Sequence, residues 1–280
     1  MSTAAVSARS GVQWDRIGIK EEVTPAKTGN GYADAKIDAE KQVRRQIKRG
    51  LPAVILRPGI VFGPYSFWIN NVVNCALTGR VPLVDHGHGI CESVYIDNLV
   101  AAIIRAIEND SVDGMVFNVS DAEEVLWRDF KVPVAKSVDP RVEFVNIASS
   151  ELPPESRSEN PLTGNLKGIG ACLVSPEMRG ALNKIPATRS VLRTCLHAFW
   201  GLPSERQLKI KRRLGMRLYA VKKNDDPPLL DVDSILRESG RGGLSSDRAK
   251  NQLGYRPVST FQQGLETTIS WVKYRERRRR

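Results

Sequence analysis

The sequence predicts an α/β fold built around a parallel sheet. Three observations carry this: a helix-like stretch at residues 34–49, β-branched runs at 53–62 and 115–119, and a further helical pattern between those runs. Helix and strand patterns that alternate along a chain pack as strand–helix–strand units, whose strands run parallel.

Each element has its own local reason. In 34–49, Ala39, Val43 and Ile47 follow Lys36 at three, seven and eleven positions, one stripe of a 3.6-residue helix. Lys36 therefore stands in line with the face expected to be buried. The run 53–62 (AVILRPGIVF) suits a strand and ends at Gly63-Pro64, which stops it. Asp97 is placed to cap a helix through Leu99, Ile103, Ile104 and Ile107, and the strand at 115–119 closes on Ser120-Asp121. Beyond 121 the alternation weakens. Pro133, Pro140, Pro153, Pro154 and Pro161 punctuate a polar stretch and glycines follow at 164–170, so 131–186 reads as an irregular segment of loops and short elements. Helical periodicity returns at 187–200, where His197 beside Phe199 and Trp200 reads as packing. A last helix at 260–274 turns Phe261, Leu265, Thr268, Ile269 and Val272 inward. The expected organisation is one unit at 1–121 and a second at 122–280.

Composition narrows the function classes. With 41% hydrophobic and 26% charged residues over 280 positions, whole-chain disorder is excluded. No run of about 18 apolar residues occurs, so no membrane span is expected. Met1-Ser2-Thr3-Ala4-Ala5-Val6 lacks the basic start of a secretory signal, which makes the cytoplasm the expected compartment. Cys75, Cys91, Cys172 and Cys195 are too scattered for a disulfide framework. The net charge of +11 gathers at Arg44, Arg45, Lys48 and Arg49, at 209–213 and at 277–280. Such clusters attract anions or nucleic acid, or they are solvated helix faces and a tail. No aromatic platform accompanies them, so the second reading is preferred and nucleic acid is not an expected partner.

The chemistry-bearing motif is Tyr32-Ala33-Asp34-Ala35-Lys36. Residues four apart lie one above the other on a helix, so the Tyr32 phenol and the Lys36 ammonium converge. An ordinary phenol titrates near 10 and is a poor base at neutral pH, but an adjacent ammonium favours the phenolate and makes it a usable proton donor or acceptor.

The motif is followed in order by Leu56-Arg57-Pro58-Gly59-Ile60-Val61-Phe62-Gly63-Pro64, Val94-Tyr95-Ile96-Asp97-Asn98-Leu99-Val100-Ala101-Ala102, Val116-Phe117-Asn118-Val119-Ser120 and Ala249-Lys250-Asn251-Gln252-Leu253-Gly254-Tyr255-Arg256-Pro257. This ordered set resembles the NAD-dependent epimerase/dehydratase family, the extended short-chain dehydrogenases/reductases, over most of the chain and least at 139–233. The resemblance implies the C-terminal part of a Rossmann-type parallel sheet with a smaller mixed α/β substrate domain, and a substrate-loop excursion at 65–93. It implies Tyr32 as the catalytic acid/base, Lys36 as its partner on the nicotinamide ribose, and NAD or NADP as cofactor. It further implies Thr3 first and Ser2 second as the hydroxyl that polarises the substrate oxygen, with a frayed terminus as their alternative. Pro58 and Gly59 would lie beside the carboxamide. A sugar or nucleotide-sugar substrate and a homodimer, with the helix at 34–49 as the pairing surface, follow from the same likeness.

Two features depart from the family. No G-x-G-x-x-G or G-x-x-G-x-x-G turn follows a strand, and Gly164, Gly168 and Gly170 have another spacing. By resemblance Met1 falls just before the catalytic Ser/Thr strand end, so the pyrophosphate-binding half is expected to be missing: a truncated reading frame, a half supplied by another chain, or a remnant without catalysis. In addition, Cys91-Glu92-Ser93 stands where nucleotide-sugar enzymes carry a basic residue for the diphosphate. His86, His88 and Cys91 offer three soft ligands, but no fourth accompanies them and no metal is expected. Glu22, ahead of Pro25, is expected to order the loop before the Tyr-x-x-x-Lys helix.

Overall fold

The run at 53–62 forms two strands, not one. β1 (Ile55–Pro58) pairs in parallel with β5 (Val116–Val119), while β2 (Ile60–Phe62) pairs in parallel with β4 (Ser93–Tyr95). The change of partner occurs at Gly59. Its N–H donates to the Val119 carbonyl at 3.0 Å, and the next N–H, of Ile60, donates to the Glu92 carbonyl at 2.6 Å. A Cβ on Gly59 would stand 2.1 Å from that Glu92 oxygen, so the crossing accepts glycine alone.

The computed structural model describes residues 1–6, 19–22, 25, 31–121, 123–151, 218–219 and 230–278. The remaining elements are α1 (Gly31–Ile47), α2 (Phe67–Leu77), β3 (Arg80–Val84), α3 (Ile96–Ile107), α4 (Trp127–Val138), β6 (Glu143–Ile147), β7 (Leu218–Tyr219), β8 (Leu230–Asp231), α5 (Val232–Glu238), α6 (Asp247–Gln252) and α7 (Phe261–Arg277). β3 and β6 form a third parallel pair; β7 and β8 are antiparallel. The expected α/β class with parallel strands is what the chain adopts. The helix expected at 187–200 with His197, the cysteines Cys172 and Cys195, and the basic cluster at 209–213 lie outside the described residues.

The phase of α1 corrects the sequence reading. Its buried residues are Ala33, Ile37 and Glu40, whereas Ala39 and Val43 are exposed and Lys36 and Ile47 are half-buried. The inward face is turned by one residue because Glu40, a carboxylate that no hydropathy pattern counts as apolar, is drawn in by Arg57 of β1. Lys36 thus lies on the flank of the buried face.

Phe62 anchors one core. Its ring meets Tyr95 at 5.4 Å, Phe130 of α4 at 5.7 Å and Phe261 of α7 at 5.4 Å, and Ile69 and Val73 of α2 close the cluster. In α7 the inward set is Phe261, Leu265, Thr268 and Val272, with Ile269 half-buried, as its pattern predicts. A second core joins Leu56, Val94, Leu99 and Phe117 to Ala249, Leu253 and Tyr255, docking the Gly-Tyr-x-Pro segment on the β1–β5 pair. The Tyr255 hydroxyl donates to the Ser120 carbonyl at 3.0 Å.

Two further expectations change. α4 and β6 lie inside the segment read as irregular. Pro133 removes one N–H from α4, but Trp127, Phe130, Val134 and Ala135 are buried along one face and hold the helix. Asp97 does not cap α3: it is exposed in the first turn, Tyr95 is the cap residue, and Asp121 receives the Tyr95 N–H at 2.9 Å and the Asn98 amide at 2.7 Å.

Candidate active site

The first residues are tied to β1. The Ser2 N–H donates to the Leu56 carbonyl at 2.8 Å, and the 3₁₀ turn at Ala4–Val6 packs on α1. This brings residues 1–6 against the helix that carries Tyr32 and Lys36. On that helix Lys36 Nζ lies 5.8 Å from the centroid of the Tyr32 ring, within the range of a cation–π contact, and both residues are half-buried. The convergence expected from four-residue spacing is therefore present in the structure.

The two candidate hydroxyls part company. Ser2 is 9% exposed and its Oγ donates to Glu40 Oε2 at 3.0 Å, so it belongs to a buried network. Thr3 is half-buried, and its Oγ1 accepts the Ala5 N–H at 3.3 Å, an acceptor role that leaves its own proton for another partner. Pro58 ends β1 in the core and Gly59 makes the strand crossing.

Beneath this surface lies a cluster that sequence reasoning missed. Arg57, fully buried, donates through Nη2 to Glu40 Oε1 at 2.6 Å and through Nε to Oε2 at 3.1 Å. Arg44 adds two donors to Oε1, at 3.1 and 2.9 Å. Burial alone would raise the Glu40 carboxyl, but the hydrogen bonds and charge of Arg57, with Arg44 and Ser2, hold it below the ordinary carboxylate range. Arg57 also reaches the Glu21 carbonyl at 3.4 Å, and the Glu21 carboxylate accepts the Asn118 N–H at 2.9 Å. Glu22 pairs with Arg248, and the loop that it is expected to order lies largely outside the described residues. One signal was available: an arginine in the middle of an apolar strand run demands a buried anion.

Glu92, of the Cys91-Glu92-Ser93 segment, is a second buried carboxyl, whose burial the sequence did not indicate. Its Oε1 is buried with no hydrogen-bond partner among the described residues, and burial pushes the carboxyl up to about 8. It directly follows Cys91, whose thiol is fully buried and pushed up by that burial. His86 and His88, by contrast, are exposed, so the three soft ligands of this loop do not converge. Among the described residues no group of three or more His, Cys, Asp or Glu is arranged to hold a metal, and no helix is long and apolar enough to cross a membrane.

Tyr32 and Lys36 set a phenol and an ammonium side by side on α1, a pair chemically suited to a proton-transfer step and to a ribose hydroxyl. A pyrophosphate fit is not found, because no glycine-rich strand-to-helix turn stands in the sequence.

Comparison with known proteins bears on the fold. Residues 1–120 match the model of the NAD dependent epimerase/dehydratase family. No curated protein sequence matches the chain. Among solved structures, dTDP-glucose 4,6-dehydratase from Bacillus anthracis, in complex with NAD, is 16% identical and superposes with a TM-score of 0.52, covering 99% of this chain and 61% of that one. UDP-glucuronic acid 4-epimerase from Bacillus cereus, in complex with UDP-glucuronic acid and NAD, is 14% identical, with a TM-score of 0.56 and coverage of 98% and 60%. UDP-glucose 4-epimerase from Thermotoga maritima, with UDP-glucose, is 17% identical, with a TM-score of 0.56 and coverage of 98% and 62%. At such identities the likeness establishes the fold, and the chain spans about three-fifths of the length of these proteins. The family match thus covers the first 120 of the 280 residues, the segment that carries Tyr32, Lys36 and the parallel β1–β5 and β2–β4 pairs.

Proposed function

We propose that the chain carries the acid/base and nicotinamide-ribose end of an NAD(P)-dependent epimerase/dehydratase-type site that acts on a sugar, nucleotide-sugar or related hydroxylated substrate. The observation that supports this most directly is the Lys36 ammonium held against the Tyr32 ring on the segment that matches the family. A bound nicotinamide would accept or return a hydride. The chain's own residues manage the proton. Tyr32 takes it from, or gives it to, the substrate hydroxyl, Lys36 favours the phenolate, and the Thr3 hydroxyl hydrogen-bonds the same oxygen.

A second reading is favoured by the missing glycine-rich turn: a regulatory or interaction partner of the same fold that does not hold a dinucleotide by itself. Titration of the full chain with NADH and NADPH, followed by nicotinamide fluorescence, separates the two. The enzyme reading expects saturable binding, turnover of a UDP-sugar, and a Tyr32→Phe variant that binds cofactor normally but loses at least about a hundredfold in rate. Absence of binding to either cofactor overturns it and leaves the partner reading.

A further inference from the structure

A second concave surface lies away from Tyr32, between α4 and the β3–β6 pair. It is an open groove of about 470 Å3, the size of a small-molecule site. Its floor is apolar: Leu83 from β3, Val132 from α4 and Phe144 from β6. Its rim is basic, formed by Arg128 and Lys136, two turns apart on α4, and by His86 and His88 from the turn after β3. All four are exposed, and no carboxylate lines the groove.

The turn that presents the imidazoles is held against its own preference. Asp85 and His86 both take positive φ, 45° and 59°, which non-glycine residues rarely do. Asp85 is fixed by the Ser149 N–H at 2.8 Å and the Ser149 hydroxyl at 2.6 Å, and the His86 N–H donates to Asn146 Oδ1 at 2.6 Å. Gly87 is pressed on Arg128, where an added Cβ would stand 2.9 Å from the Arg128 backbone nitrogen. Arg128 Nη1 meets His88 Nε2 at 3.4 Å, and since a guanidinium only donates, that nitrogen accepts. The neighbouring carboxylates are engaged elsewhere: Asp85 by Ser149, Glu143 by Arg80 at 3.2 Å, and Asp129 by the Leu126 N–H at 3.3 Å. The rim thus presents two cations, Arg128 and Lys136, and two imidazoles over an apolar floor.

We propose that this groove binds a phosphorylated small molecule, its phosphoryl group between Arg128, Lys136 and the two imidazoles and its organic part on Leu83, Val132 and Phe144. Arginine and lysine on adjacent faces of a phosphoryl group supply charge-assisted hydrogen bonds, and the volume of the groove suits a small ligand better than a macromolecular surface. The proposal does not depend on Tyr32, Lys36 or a nicotinamide cofactor, so it stands or falls separately from the function above.

Calorimetric titration of the full chain with phenyl phosphate and with inorganic phosphate tests it. Phenyl phosphate should bind saturably and more tightly than inorganic phosphate. The Arg128→Gln/Lys136→Gln double variant should weaken it at least about tenfold, equivalent to one strong charged contact. Phe144→Ala should erase the preference for the phenyl ester while inorganic phosphate still binds. Because Arg128 and Lys136 are exposed, thermal unfolding of the double variant should match the parent. A control pair at exposed positions elsewhere, Lys48→Gln/Arg105→Gln, should leave binding unchanged. The proposal is overturned if millimolar phenyl phosphate does not bind, if the double variant binds like the parent, if the control pair weakens binding equally, or if both phosphates bind alike.

Discussion

Glu40→Gln tests the reasoning about the buried network most directly. The carboxylate receives five hydrogen bonds: Oε1 accepts from Arg57 Nη2, Arg44 Nε and Arg44 Nη2, and Oε2 from Arg57 Nε and the Ser2 hydroxyl. Glutamine keeps the shape but supplies one acceptor oxygen, so its NH₂ must face donors on one side or the other. The Arg57 guanidinium, fully buried, then loses its countercharge. Removing one member of a buried ion pair costs about 3–5 kcal/mol, and the retained acceptor places this change near the lower figure. For a chain of this size that corresponds to a fall in Tm of roughly 6–12 °C. Differential scanning calorimetry at neutral pH measures it. A companion Glu40→Leu/Arg57→Met variant, which removes both charges, should be less destabilised than either single replacement, because it leaves no lone buried ion. Acid behaviour gives an independent check. The Glu40 carboxyl is held below its ordinary value of 4.5, so its contribution is fully present above that value and is lost as pH falls through the lowered one. Glu40→Gln should therefore flatten the acid limb of the stability profile. A loss below about 1 kcal/mol with an unchanged acid limb would refute the assignment of Glu40 as the anion that keeps Arg57 in the core.

Two other perturbations follow from the structure. Glu92 and Asp121 are pushed up by burial, to about 8 and about 6 from 4.5 and 3.8. Their contributions are fully present below the unfolded values and are lost as pH rises through the folded ones, so stability should decline between about pH 4 and 8. Glu92→Gln, neutral at every pH, should remove most of that slope; an unchanged profile in chemical denaturation would show that the Glu92 carboxyl is hydrated. Gly264 of α7 sits against Tyr95, where an added Cβ would stand 2.6 Å from two ring atoms. Gly264→Ala should therefore lower stability by about 1–2 kcal/mol despite alanine's better helix propensity, and a rise in Tm would mean that the ring moves aside freely.

What was legible in the sequence follows a physical line. Periodicity found α7 because its inward set, Phe261, Leu265, Thr268 and Val272, is nearly all apolar and meets one core. The same arithmetic misplaced α1 by one residue, since it counted Ala39 and Val43 and could not count Glu40, whose burial depends on an arginine 17 positions away. Four-residue spacing was enough to bring Lys36 to Tyr32, because that contact is local to one helix. The split of 53–62 into β1 and β2 was not visible, although Gly59 stood in the run: what forces glycine there is the carbonyl of Glu92, a neighbour set by the fold. Likewise Pro133 argued against a helix, and α4 forms because Trp127 and Phe130 are buried against Phe62 and α2, a gain that one missing hydrogen bond does not offset. Ser2 and Thr3, alike on the page as adjacent hydroxyls, are separated only by the buried carboxylate that claims Ser2. Local chemistry thus brought Lys36 to Tyr32, while the residues packed beneath them, Glu40, Arg57 and Ser2, became readable only once β1 and α1 were packed together. For that reason a conservative change at Glu40 is expected to disturb the platform of Tyr32 although it touches neither Tyr32 nor Lys36 in sequence.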